Sequence, residues 1–98
     1  MELELRLLDD DEIGDAIERL PGWAIVDGKL HRQFVFADFV EAMGFMTRAA
    51  IWAEKRNHHP EWSNVYKTVV VDLQTHDVGG LSPFDVDLAE KMNELAGV

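Results

Sequence analysis

The chain has no cysteine among its 98 residues. That excludes a disulfide framework and a thiolate metal site together. Basic residues are scarce: 9 Lys and Arg stand against 19 Asp and Glu, for a formal net charge of -10. A surface that neutralises nucleic-acid phosphates is not available from such a balance, nor is one that docks on anionic lipid. No run approaches the roughly 18–20 apolar residues of a membrane-spanning helix. The opening MELELRLLDDDEI has no basic region ahead of an apolar stretch, so it does not read as a signal peptide. Internal repeats, low-complexity tracts and linkers are also missing. The expectation is one cytoplasmic domain over residues 1–98, with no nucleic-acid or membrane partner. A domain of this size lacking disulfide or metal staples often gains stability by self-association, so a homo-oligomer is expected.

What is present reads as an alternation of helices and strands. Ile13, Ala16, Ile17 and Leu20 fall on one helical face behind Asp9, Asp10 and Asp11, and Pro21-Gly22 stops that helix. Asp27-Gly28 between Trp23–Val26 and Leu30–Phe36 is a hairpin signal. In the second strand Leu30, Arg32, Phe34 and Phe36 share a mainly apolar face, with Arg32 as the exception. Asp38 caps a long second helix whose apolar face is expected to be Phe39, Ala42, Met43, Met46, Ala49, Ala50 and Ala53. Asn57 closes it, and Pro60 forces His59 into extended backbone. Trp62–Tyr66 and Lys67–Thr75 read as two further strands, with Val69, Val71 and Leu73 inward. Gly79-Gly80 turns the chain, and Ser82-Pro83-Phe84-Asp85 opens a last helix with the pattern of a capping box. The order is α-β-β-α-β-β-α. The fold class is α+β, a two-layer sandwich of a four-stranded antiparallel sheet with helices on one face.

The candidate chemistry lies at the segment boundaries. His58 and His59 follow the long helix, His76 sits at the end of the last strand, and Glu54 lies one helical turn before His58. Imidazole titrates near pH about 6.5, so converging imidazoles make an acid/base site. Exposed loop histidines are the ordinary alternative. A zinc site is a further one, although the chain carries no His-Glu-x-x-His motif. Trp62 offers a flat apolar wall for a planar ligand or a core side chain. Trp23 reads as core, and His31 as a strand residue with no identifiable partner. Asp85 reads equally as a capping residue and as a pocket carboxylate.

The spacing Glu54, His58-His59-Pro60, Tyr66, His76, Asp85 resembles the signature of the pterin-4a-carbinolamine dehydratase family. The flanking GW with DGKL, FVFADF, HHPEWSNVY, THDVGGLS and the D-x-D-LA of the last helix agree, so the resemblance runs from about Ile13 to the C-terminal helix. It implies the fold just read, usually as dimers or dimers of dimers. It implies elimination of water from 4a-hydroxytetrahydrobiopterin to give the quinonoid dihydropterin, in recycling of tetrahydrobiopterin, with no metal or organic cofactor. It assigns catalysis to His58, His59 and His76, with His58 and His76 as the acid/base pair and His59 mainly holding substrate. Glu54, Trp62 and Asp85 are assigned to substrate binding. Two positions depart from some members: Asn57 stands in place of an Asp, and Phe84 in place of a basic residue. The alternatives are a non-catalytic binding or dimerisation module and a relative recruited to another pterin-related or assembly role. The three histidines together favour catalysis, because a scaffold has no physical need for them.

Overall fold

A computed structural model describes residues 2–98. Helix α1 spans Asp10–Arg19. Strands β1 (Ala24–Val26) and β2 (Lys29–Val35) follow, then α2 (Phe39–Arg56), β3 (Glu61–Val65), β4 (Thr68–Leu73) and α3 (Pro83–Ala96). All pairings are antiparallel and the sheet order is β1-β2-β4-β3. The expected α+β order holds, and each element is traceable to a local cause. Asp9 caps α1 in a full capping box with Glu12. Asp27 and Gly28 both have positive φ, 52° and 77°, the primed turn that a two-residue hairpin requires. Asp38 caps α2, and Asn57 ends it in the left-handed region.

Alternation on β4 is as expected: Val69, Val71 and Leu73 are buried, opposite Phe34, Arg32 and Leu30 of β2. Against this sheet face pack Ala42, Phe45, Ala49 and Ala53 of α2 and Leu88, Ala89 and Met92 of α3. Small alanines let α2 approach closely, while Phe45 fills the space beyond them, its ring 4.8 Å from Phe34 and 4.9 Å from Phe36. This corrects the expected face of α2. Phe39 and Met43 are 50% and 41% exposed, Ala50 is exposed, and Phe45 takes the core position. The buried side is the one on which Phe45 meets the Phe34 and Phe36 rings, and Phe39 lies off that side.

Arg32, the anomaly of the β2 face, is explained by a polar seam. Its guanidinium lies 4.5 Å over the Phe34 ring and donates to Asn93 Oδ1 at 3.0 Å and to the Pro21 carbonyl. Buried Trp23 donates its indole N–H to the same Asn93 oxygen at 2.8 Å. Desolvation lowers the pKa of Arg32 from its ordinary value. On the opposite sheet face, register places His31 across from Asp72, and His31 Nδ1 bonds Asp72 Oδ1 at 2.9 Å. His31 therefore has a partner that sequence reading does not supply. The β3–β4 connection is a tight turn at Tyr66-Lys67, with Tyr66 at φ 53° and the Asn64 amide donating to the carbonyls of Tyr66 and Thr68.

Candidate active site

Three chain segments converge at one end of α2. The first is the reversal that closes that helix. Asn57 N–H bonds the Glu54 carbonyl and His58 N–H bonds the Ala53 carbonyl, the paired bonds of a Schellman closure. This fixes where the backbone of His58 leaves the helix. The second segment is the loop after β4. That strand ends at Leu73, earlier than expected, and a Thr75–Gly80 bridge pinches the chain into a loop. His76 thus opens a 3-10 turn, His76–Val78, instead of ending a strand. The third segment is the start of α3, where Ser82 caps, Pro83 occupies the first turn and Asp85 completes the capping box.

Asp85 ties the three together. Its side chain is fully buried. One oxygen accepts the Ser82 N–H at 2.9 Å and the Thr75 hydroxyl at 2.7 Å, and the other meets His58 Nε2 at 2.6 Å. A carboxylate only accepts, so the neutral His58 ring carries its proton on Nε2 and has its lone pair on Nδ1. The hydroxyl directions follow as well. Thr75 spends its proton on Asp85. Ser82 therefore donates to Thr75 across 2.7 Å while accepting the Phe84 N–H at 3.2 Å. Every donor around the carboxylate is thereby matched, as a buried polar group requires. The capping reading of Asp85 holds, and the same side chain also bonds His58, which lines the cleft described next.

His58, His59 and His76 line a common cleft of about 400 Å³, within the size range of small-molecule sites. Leu5, Arg56, Asn57, Gln74, Thr75, Asp77 and Phe84 complete its wall. His59 Nε2 meets Glu54 Oε1 at 2.7 Å, an exposed contact in which both side chains stand largely in solvent. Arg56 is held by Asp87 at 3.1 Å and lies 4.8 Å over the Trp52 ring. A second cleft, about 460 Å³, lies between the N-terminal segment, α1 and α3, and no histidine lines it. Among the described residues no group of three or more His, Asp or Glu side chains is placed to hold one metal ion, and no helix is long and apolar enough to cross a membrane.

The structure does not bring all six sequence-selected residues to the cleft wall. Glu54 stands behind His59 and Asp85 behind His58. Trp62 projects from edge strand β3, opposite Val71, and packs partly buried against the core; it is not among the cleft-lining residues. Sequence reading does not select Leu5, Arg56, Gln74, Thr75 or Asp77. Thr75 and Asp77 are findable as the neighbours of His76 in a loop pinched before Gly79-Gly80. Leu5 has no local signal, because it reaches the cleft from the far end of the chain.

Comparisons with known proteins point to one family. The family model described as Pterin 4 alpha carbinolamine dehydratase matches residues 6–95. A protein of Prochlorococcus marinus, named as a pterin-4-alpha-carbinolamine dehydratase, is 56% identical over 89 residues, covering 91% of this chain and 93% of its own. One of Roseobacter denitrificans with the same name is 64% identical over 78 residues, covering 78% and 80%. A crystal structure from Brucella melitensis, described as a transcriptional coactivator/pterin dehydratase, superposes with a TM-score of 0.89 at 47% identity over 92% of this chain and 98% of that one. The chain belongs to the pterin-4-alpha-carbinolamine dehydratase family.

Proposed function

We propose that this chain is a hydro-lyase that removes water from a 4a-hydroxytetrahydropterin, with 4a-hydroxytetrahydrobiopterin as the substrate and recycling of the reduced pterin as the role. The observation that carries the reading is the convergence of three imidazoles on one cleft in a chain of this family, with one imidazole oriented by a buried carboxylate.

The elimination needs two proton movements. The C4a–O bond breaks, and the departing hydroxide must take a proton to leave as water. As the C=N bond forms, a ring nitrogen gives up its proton. Imidazoles near neutrality can do both. His58, its Nε2–H fixed on Asp85, offers Nδ1 to the ligand in a defined tautomer. His76, exposed on the 3-10 turn, serves as the other member of the pair. His59, held at Nε2 by Glu54, orients the substrate. The protons lost and gained balance, so the site returns to its starting state once they re-equilibrate through solvent.

Exposed apolar side chains on α2, namely Phe39, Val40, Met43 and Ile51, support assembly as a homodimer or homotetramer. The same surface, with the coactivator description of the Brucella protein, supports a second reading in which the chain acts as a protein-binding module. Titration with 7,8-dihydrobiopterin, followed through the histidine ring signals by NMR, tests the first reading. Signals of His58, His59 and His76 should shift together while those of His31 stay. Absence of any shift at millimolar ligand would contradict it.

A further inference from the structure

Of the residues that line the cleft, Leu5 and Phe84 are the two with wholly apolar side chains. A bicyclic heteroaromatic ring has a polar rim and two apolar faces. The rim can find hydrogen bonds from many of the lining groups; the faces need something flat or aliphatic. Trp62, chosen from sequence for that purpose, packs against the core instead.

Phe84 is positioned for it by the first turn of α3. Its N–H is spent on Ser82 Oγ, and its ring lies 5.8 Å from the His58 ring at 51°. Both rings line the cleft side by side. Leu5 arrives from the N-terminal segment, which crosses the domain without joining the sheet. Residues next to it are pinned. Arg6 makes two bonds to Glu12, at 2.9 and 2.7 Å. Leu8 N–H bonds the Leu81 carbonyl at 2.8 Å, and Leu8 itself is buried. Leu7 lies over Gly80, where an added Cβ would come within 2.8 Å of its Cδ1. These anchors hold Leu5 at the cleft although it is 55% exposed and does nothing for the core. Leu5 also lies just before the residues matched by the family model, 6–95.

We propose that Leu5 and Phe84 form an apolar clamp on the bicyclic ring of the substrate, and that they are specificity-determining residues for this chain. The proposal rests on the pterin reading above. Phe84 supplies the aromatic contact beside His58, and Leu5 closes the cleft from the N-terminal segment. Neither exchanges a proton, so the clamp acts on binding.

The test compares wild type, Leu5→Ala, Phe84→Ala and the double variant. It measures steady-state dehydration kinetics, 7,8-dihydrobiopterin affinity by fluorescence quenching, and thermal midpoint as a folding control. Each single variant should raise KM and Kd about tenfold, with kcat changed less than about threefold. Leu5→Met and Phe84→Tyr should restore most of the loss. An active wild type whose folded single variants keep unchanged KM and Kd would overturn the clamp and leave the dehydratase reading standing. A loss confined to kcat would overturn it as well. A wild type that neither binds nor dehydrates the pterin would overturn both.

Discussion

Replacing Asp85 with asparagine changes one atom of the buried network and should move a proton from one nitrogen of the His58 ring to the other. The Asp85 oxygen that accepts from the Ser82 N–H and the Thr75 hydroxyl must remain an oxygen, since both groups donate to it. In Asp85→Asn the new amide nitrogen is thereby turned toward His58, where the 2.6 Å contact now stands. An amide N–H donates, so His58 Nε2 must accept, and its proton shifts to Nδ1. The nitrogen facing the ligand becomes a fixed donor in place of one that exchanges. Loss of the correct tautomer and of a charge-assisted bond should lower kcat by about 10²–10⁴-fold. Stability should change by about 1–3 kcal/mol, because a neutral hydrogen bond replaces the charged one and the second amide N–H is left without a partner. Long-range ¹H–¹⁵N NMR reads the tautomer directly, stopped-flow dehydration reads kcat, and urea unfolding reads stability. A folded Asp85→Asn protein with kcat within about threefold of wild type, or with His58 still protonated at Nε2, would refute the reasoning.

Other perturbations separate the remaining roles. His76→Ala should lower turnover by about 10²–10⁴-fold with folding kept, since its ring is exposed; wild-type kcat in that variant would remove His76 from the acid/base pair. Glu12, bonded by Arg6 and by the Asp9 N–H, has its pKa lowered to about 2. That contribution to stability is fully present above the usual carboxylate value, near 4.5, and is lost as pH falls through about 2. Carboxyl ¹³C NMR should find the low midpoint in wild type, and a higher one in Arg6→Ala that the Asp9 N–H still keeps below the ordinary value. Ile51→Asp should shift the chain toward monomer in light scattering, because Ile51 is 67% exposed on the apolar side of α2; an unchanged mass would place the self-association surface elsewhere.

The parts of the fold legible in the sequence are those set by local chemistry. Asp-Gly at the first hairpin, Asn57 at the end of α2 and Ser-Pro-x-Asp at the start of α3 each satisfy backbone groups within a few residues, and each appears where the local pattern puts it. The rotation of α2 is not legible, because alanines and apolar side chains surround it and only the Phe34–Phe36–Phe45 cluster selects which side is buried. The Tyr66-Lys67 turn carries no glycine; Asn64 holds it from within β3. The site divides in the same way. His58, His59 and His76 are readable as chemistry-bearing residues at segment boundaries. Their joining through Asp85 and Thr75, the partner of His31, and the arrival of Leu5 depend on contacts between residues distant in sequence.

That histidines of this cleft dehydrate a 4a-hydroxytetrahydropterin is tested most directly by the stopped-flow rate of the dehydration itself, with EDTA present, for wild type and for His59→Ala. The expected result is a wild-type rate well above the spontaneous one, unaffected by EDTA and reduced in the variant. A folded wild-type protein that does not exceed the spontaneous rate, or a variant that matches wild type, would contradict it.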